Sequence, residues 1–266
     1  MILCDKSLHM EPIRVTAVSY LNTKPFLYGL LHAGMEAHMA LSLDIPSECA
    51  RKLIENEADL ALMPVAAIPQ VPHAQIVSDY CIGAEDEVRT VCLFAQKPIH
   101  QLTHIYLDYQ SRTSVALLQL LLKHFWQHEV ILLPSSPGFE KKIAGTTGAL
   151  VIGDRTIQLE RQTAFAYDLA QAWKQWTGLP FVFAAWVANK PLPADWLRQF
   201  NRALALGIQS VPKLSLLLQK PAPWFDLQEY FTRYIRYELN EARRRGLQHF
   251  LEQLRMARLT TATAHL

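Results

Sequence analysis

Ser19-Tyr20-Leu21-Asn22-Thr23-Lys24-Pro25 joins two runs of different character. Before it, Ile13 to Val18 is apolar and β-branched, which suits a strand. After it, Phe26-Leu27-Tyr28-Gly29-Leu30-Leu31 reads as helix. Pro25 fits a first helical turn, where its missing N–H would have had no partner. The order is strand, polar loop, helix N-terminus. In an open α/β sheet such a loop lies at the carboxyl ends of the strands, where ligands bind. Asn22 offers an amide donor and acceptor, Thr23 adds a hydroxyl, and the helix behind them favours an anion. The alternative use of Asn22 or Thr23 is to cap that helix.

The whole chain sets bounds on this reading. Its 266 residues allow two modest domains or one large one. An apolar fraction of 50% with 19% charged residues is that of a globular protein, and a net charge of +2 gives no pull toward nucleic acid or membrane. Cys4, Cys49, Cys81 and Cys92 are scattered without a C-x-x-C pair, as expected of buried thiols in a reducing compartment. The N-terminal MILCDKSLHM lacks the apolar core of a secretory signal, and Met10 is an alternative start. Apolar runs such as Leu179 to Ala188 fall short of the roughly 20 residues that span a bilayer. A cytoplasmic protein without a membrane partner is expected.

Further along, Leu41 to Leu43 is a short strand, and Ser47 is the expected N-cap of a helix striped by Cys49, Ala50, Leu53 and Ile54. Leu60 to Val65 is a buried strand, so strands alternate with helices as βαβ units do. Val71 to Ser78 reads as a proline-interrupted loop, Glu85-Asp86-Glu87 as a solvated turn, and Val88 to Ala95 as a strand containing Thr90. Lys97-Pro98 marks passage into a second domain. There Ile105 to Asp108 is a strand, and Ser111-Arg112-Thr113-Ser114 opens an apolar helix from Val115 to Phe125. Hydroxyls, backbone N–H groups and the helix dipole converge at that point, as a carboxylate site requires, although a well-capped helix has the same residues. Arg112 is expected to hold a carboxylate elsewhere in the protein. Ala149 to Asp154 is a buried strand ending in a turn. Tyr167 to Trp176 reads as a helix stopped by Gly178, followed by a wholly buried strand returning to the first domain. Beyond Lys190-Pro191 the chain is helical over Trp196 to Leu206, Lys213 to Leu218, Leu227 to Tyr237 and Glu241 to Leu259, with Arg243-Arg244-Arg245, Arg255 and Arg258 on a solvated face.

No G-x-G-x-x-G follows a strand, and neither a P-loop nor a G-x-S-x-G elbow occurs. His100/His104 and His124/His128 have a spacing that can bind metal, but neither pair carries the Glu of H-E-x-x-H or a third ligand. No metal or other cofactor is expected.

Five blocks together resemble one family. They are Ser19 to Pro25, Asp44-Ile45-Pro46-Ser47 with Leu60 to Pro64, Ser111-Arg112-Thr113-Ser114, Val151-Ile152-Gly153-Asp154, and Trp176-Thr177-Gly178-Leu179-Pro180-Phe181-Val182-Phe183-Ala184. In this order they are similar to the chorismate dehydratases of the futalosine route to menaquinone. The resemblance implies a two-lobed α/β fold of the type II periplasmic-binding-protein kind, each lobe a mixed, mostly parallel sheet flanked by helices. Lobe I would comprise residues 11–95 and 188–266 and lobe II residues 96–187, with the ligand cleft between them. It implies loss of water from chorismate to give 3-(1-carboxyvinyloxy)benzoate, with the substrate's own enolpyruvyl carboxylate taking the ring proton. Asn22 and Thr90 would be the catalytic pair. Tyr20, Leu21, Ser111, Thr113, Ser114, Gly153 and Asp154 would bind substrate, with Asp154 orienting groups or clasping the lobes. Thr90 stands where the family has serine, and the turn before it carries Glu85-Asp86-Glu87 without the family's glycine. Two other classes share the fold: a small-anion binding protein, and the synthase that makes 1,4-dihydroxy-6-naphthoate. The latter would want a histidine base near the cleft, and no histidine falls in the candidate loops.

Overall fold

The computed structural model describes residues 11–263; Cys4 and the alternative start at Met10 lie outside the described residues. Eleven strands form two mixed sheets. In chain order they are β1 (Ile13–Val18), β2 (Met39–Asp44), β3 (Leu60–Pro64), β4 (Gln75–Ala84), β5 (Val91–Ala95), β6 (His104–Tyr106), β7 (Ile131–Leu133), β8 (Thr147–Ile152), β9 (Phe165–Asp168), β10 (Phe181–Ala188) and β11 (Arg236–Glu238). The six-stranded sheet has the order β11-β4-β10-β3-β1-β2 and the five-stranded sheet β7-β6-β8-β5-β9. β1 is parallel to β2 and β3, and β6 is parallel to β7 and β8. The remaining pairings are antiparallel, so parallel pairs do not predominate in either sheet.

The chain crosses between sheets twice, and both crossings fall earlier than the expected lobe boundaries. β5 pairs with β8 and β9, not with the first sheet. β10 pairs with β3 and β4, not with the second. The crossings therefore lie between Ala84 and Val91 and between Asp168 and Phe181. Both strands are buried along their whole length. A strand that is apolar on both faces carries no alternation to say which sheet it enters.

Local departures from expectation have identifiable causes. Pro46 opens the second helix, Pro46–Ile54, with Ile45 at the N-cap, so Ser47 lies inside the first turn. The Ser47 N–H instead donates to Gln110 O at 3.1 Å, across to the other lobe. The segment read as a loop before Ser78 becomes strand from Gln75, because β10 pairs with Gln75 and Ile76 at its far end. Arg89 has φ 64°, which ends extended structure before Val91 and leaves Thr90 in a turn. Leu227 to Tyr237 is one short helical turn, a π-helical turn over Tyr230–Tyr234, and then β11. Arg243 is buried rather than solvated: it donates to Glu238 O and pairs with Glu85 at 3.3 Å.

Behind the first loop, the helix Lys24–His32 crosses the helix Ala194–Gln209 at backbone contact. A Cβ on Gly29 would lie 1.9 Å from Ala203 O, and one on Gly207 would lie 1.8 Å from Pro25 O. Phe26 packs from the same helix against Trp186 and Tyr237, with ring centroids 5.9 and 5.1 Å apart. Each such ring, fully buried, contributes about 2–3 kcal/mol of apolar transfer. The loop over Tyr20–Thr23 is thus backed by a rigid support.

Candidate active site

The carboxyl ends of β1, β3 and β8 meet between the sheets, where they surround a cavity of about 50 Å³. The first lobe contributes Val18, Tyr20, Asn22, Pro46, Pro64 and Phe183 to its wall, and the second contributes Thr90, Ser111, Thr113, Ser114, Ile152 and Gly153. This volume holds a few water molecules.

Asn22 stands in the 3-10 turn Leu21–Thr23. No side chain caps the helix that follows, so Asn22 is not spent as a cap. Its Oδ1 accepts from the Thr23 hydroxyl at 3.2 Å, and its backbone carbonyl accepts from the Tyr237 hydroxyl at 2.9 Å. On the facing lobe, the N-cap of the helix Thr113–His124 is Arg112 rather than the expected Ser111, but Ser111 Oγ, one residue earlier, accepts from Ser114 N–H in the first turn at 3.0 Å. Thr113 Oγ1 accepts from Ala66 N–H at 3.2 Å, which ties this helix to the first lobe. All three hydroxyl residues are buried. No lysine, arginine, carboxylate or histidine among the described residues lines the cavity; its polar groups are hydroxyls, one amide and the N-terminal end of a helix. Such a wall presents oriented dipoles rather than formal charge.

Four of the residues expected to bind substrate also make contacts between the lobes, and of these Tyr20 and Gly153 line the cavity. Asp154 accepts from Leu21 N–H with both oxygens, at 3.1 and 3.2 Å, and neither residue lines the cavity. Burial pushes its carboxyl up, while the bond from Leu21 and the nearby Lys24 pull it down. Gly153 has φ 68°, and a Cβ there would lie 2.9 Å from the ring of Tyr20. This glycine lets the first lobe's tyrosine close over the second lobe. The Tyr20 hydroxyl donates to Gln110 Oε1. Among the described residues Arg112 pairs with no carboxylate; it donates to the amide oxygen of Gln70 at 3.2 Å.

Three supporting groups are not evident from the sequence pattern. Asp108 is buried beneath the second lobe's loop, accepting from Gln110 N–H, Ile152 N–H and Arg155 at 2.9, 2.9 and 2.6 Å. Arg155 also reaches Gln110 Oε1 at 3.2 Å and Glu140 at 2.6 Å. Tyr230 is fully buried, and its hydroxyl lies 2.9 Å from Thr90 Oγ1. Asp168 accepts from Val88 and Arg89 N–H at 2.9 and 2.7 Å and from Ala170 and Gln171 N–H at 2.9 and 3.2 Å. One carboxylate thereby fixes both the turn that presents Thr90 and the helix Leu169–Thr177.

Burial pushes the Asp168 carboxyl up to about 6, against those four backbone donors. Folding raises this pKa above the ordinary 3.8, so it favours the protonated form. The associated stability is complete below about pH 4 and is lost as pH rises through about 6. Asp168→Asn is expected to flatten the stability profile between pH 4 and 6. At pH 7 it should cost about 1–3 kcal/mol, since the amide nitrogen faces backbone donors. Urea unfolding across this pH range measures both effects; an unchanged profile contradicts the assignment.

Three of the four paired histidines make local contacts. His128 Nε2 lies 2.8 Å from Leu102 O, His104 Nδ1 lies 2.9 Å from the Thr103 hydroxyl, and His124 stacks on Trp176. The three described cysteines, Cys49, Cys81 and Cys92, are buried free thiols, and burial pushes Cys49 and Cys81 up to about 12. Among the described residues no helix is long and apolar enough to cross a membrane.

The geometry agrees with what the chain is similar to. A protein of Archaeoglobus fulgidus has a TM-score of 0.74 at 15% identity, covering 94% of this chain and 98% of its own. A Candida albicans gene product, described as having the generic periplasmic binding protein fold, has a TM-score of 0.59 at 11% identity, covering 93% and 91%. These likenesses establish the fold. A chorismate dehydratase of Thermus thermophilus is 28% identical over 276 residues, covering 92% of this chain and 96% of that protein. The model of a family described as menaquinone biosynthesis matches residues 13–256, nearly the whole described chain, and the protein belongs to that family.

Proposed function

We propose that this protein is a chorismate dehydratase, a hydro-lyase that forms 3-(1-carboxyvinyloxy)benzoate and water. The observation that carries the reading is the cavity wall itself, with Asn22 on the first lobe facing Thr90, Ser111, Thr113 and Ser114 on the second. The dipoles at Ser111–Ser114 hold a ring carboxylate. Asn22 and Thr90 orient the enolpyruvyl group and the departing ring hydroxyl. Loss of one ring proton and the neighbouring hydroxyl makes the ring aromatic, so the driving force lies in the substrate. The protein must chiefly orient a dianion and exclude water.

The walls supply no carboxylate or imidazole base. As the family resemblance implies, the substrate's enolpyruvyl carboxylate takes the ring proton and returns it to the departing hydroxyl as water leaves. Tyr20 keeps its proton, since burial pushes its hydroxyl well up, and it serves as a neutral wall. Tyr20, Gly153 and the Asp154–Leu21 contact close the lobes over the ligand instead of binding it at the reacting end.

The same wall speaks against the synthase reading, which wants an imidazole at the cleft. The anion-binding reading is separated by experiment. Chorismate and its enolpyruvyl methyl ester are each mixed with the protein, and products are followed by chromatography. Chorismate is expected to be consumed, while the ester persists. Binding of chorismate without consumption would instead favour a binding protein.

A further inference from the structure

We infer that Tyr230 is a positioning residue of this site, holding the Thr90 hydroxyl in the orientation that serves the departing group; this rests on the dehydratase reading. The two hydroxyl oxygens are 2.9 Å apart, and both residues are buried. Thr90 Oγ1 has one other polar contact, Val88 O at 3.5 Å, which is too long to fix its rotation. Tyr230 is therefore the group that sets where the threonine proton points. When the phenol donates to Thr90 Oγ1, the threonine proton is left free to turn from the distant Val88 O to a group in the cavity, which Thr90 lines and Tyr230 does not.

The local structure suits a fixed donor. Tyr230 begins the π-helical turn Tyr230–Tyr234, and its ring packs against Phe225 and Phe231 at centroid distances of 5.2 and 5.6 Å. Single π-turns recur where a side chain must be displaced from regular helical phase toward a functional site. A tyrosine this deeply buried needs hydrogen-bond partners, and those it has, the Thr90 and Asn22 side chains, both belong to the cavity wall. Burial pushes its hydroxyl far up, against contacts with the Thr90 and Asn22 side chains, so it stays protonated and able to donate. Two hydroxyls in series polarise one another, which strengthens the second as a donor. Tyr237, held by the same segment, donates to the Asn22 carbonyl. The stretch after Leu227 thus reaches behind both residues assigned to the reaction.

The test is a double-mutant cycle on chorismate turnover with Tyr230→Phe, Thr90→Val and the pair. Phenylalanine keeps the ring and its packing, so Tm should shift by only a few degrees. Tyr230→Phe is expected to lower kcat about tenfold, with KM within about twofold. Thr90→Ser is expected to keep most of the activity, since it keeps the hydroxyl. Once Thr90 is valine, removing the phenol should add little further loss. Wild-type kcat in a folded Tyr230→Phe protein, or losses that multiply in the pair, would overturn the inference. If the wild type itself does not turn chorismate over, the dehydratase reading fails. The inference about Tyr230 then falls with it, whereas turnover by the wild type with wild-type kcat in Tyr230→Phe removes the inference alone.

Discussion

Asn22→Ala is expected to lower kcat on chorismate by about 10²- to 10³-fold and to leave Tm within a few degrees of the wild type. The size follows from what a preorganised donor aimed at developing charge contributes in a water-excluded site. The small effect on stability follows from the structure. The Asn22 loop is held by its backbone, through Tyr237 to the Asn22 carbonyl, Asp154 to Leu21 N–H, and Tyr20 O to Thr23 N–H at 3.1 Å. The side chain itself meets Thr23 at 3.2 Å and is half-buried at the cavity wall. Asn22→Asp should be worse for binding than Asn22→Ala, because it sets a like charge against a dianion. Steady-state kinetics beside thermal unfolding measures the separation. Normal kcat in a folded Asn22→Ala protein would remove Asn22 from the mechanism.

The largest effect on stability is expected far from the cavity, at Gly207. A methyl group there would lie 1.8 Å from Pro25 O and 2.9 Å from Gly29 N. Both obstacles are backbone, so no rotamer change relieves the overlap and the two helices must separate. Gly207→Ala should cost 3 kcal/mol or more, roughly the upper range of overpacking penalties. Gly207 sits within the helix Ala194–Gln209, where alanine would otherwise be favoured by about 1 kcal/mol. The sign of the result therefore distinguishes packing from propensity. Urea unfolding of Gly207→Ala is the check, and a stability equal to the wild type would mean that the helices do not cross this closely. Because the same contact backs Pro25, partial loosening should also raise KM for chorismate.

The parts of this protein legible in its sequence are those encoded locally. β1, the loop over Ser19 to Pro25, and the helix opened by Ser111 carry their own strand, cap and proline signals, and the structure places them at the cavity. The resemblance in five blocks reached the family that the comparisons also find. What could not be read depends on which distant segments meet. Asp168 falls within a run that reads as helix, yet it ends β9, caps the next helix and holds the turn before Thr90. Nothing in that run announces a partner some 80 residues away. Asp154 and Leu21 are both polar-loop neighbours of ligand positions, and only the closed arrangement shows that they bind each other. Tyr230 was hidden because Leu227 to Tyr237 has continuous helical periodicity, whereas the chain inserts a π-turn and exits into β11. A signal did exist: a tyrosine on an apolar face must find a partner for its hydroxyl.

The most direct measurement is the initial rate of 3-(1-carboxyvinyloxy)benzoate formation from chorismate by the purified protein, in the presence of a chelator, against a protein-free control. The account predicts many turnovers per protein molecule, one product formed for each chorismate lost. Chorismate that binds and remains unchanged, or product that appears only at the rate of the control, would contradict it.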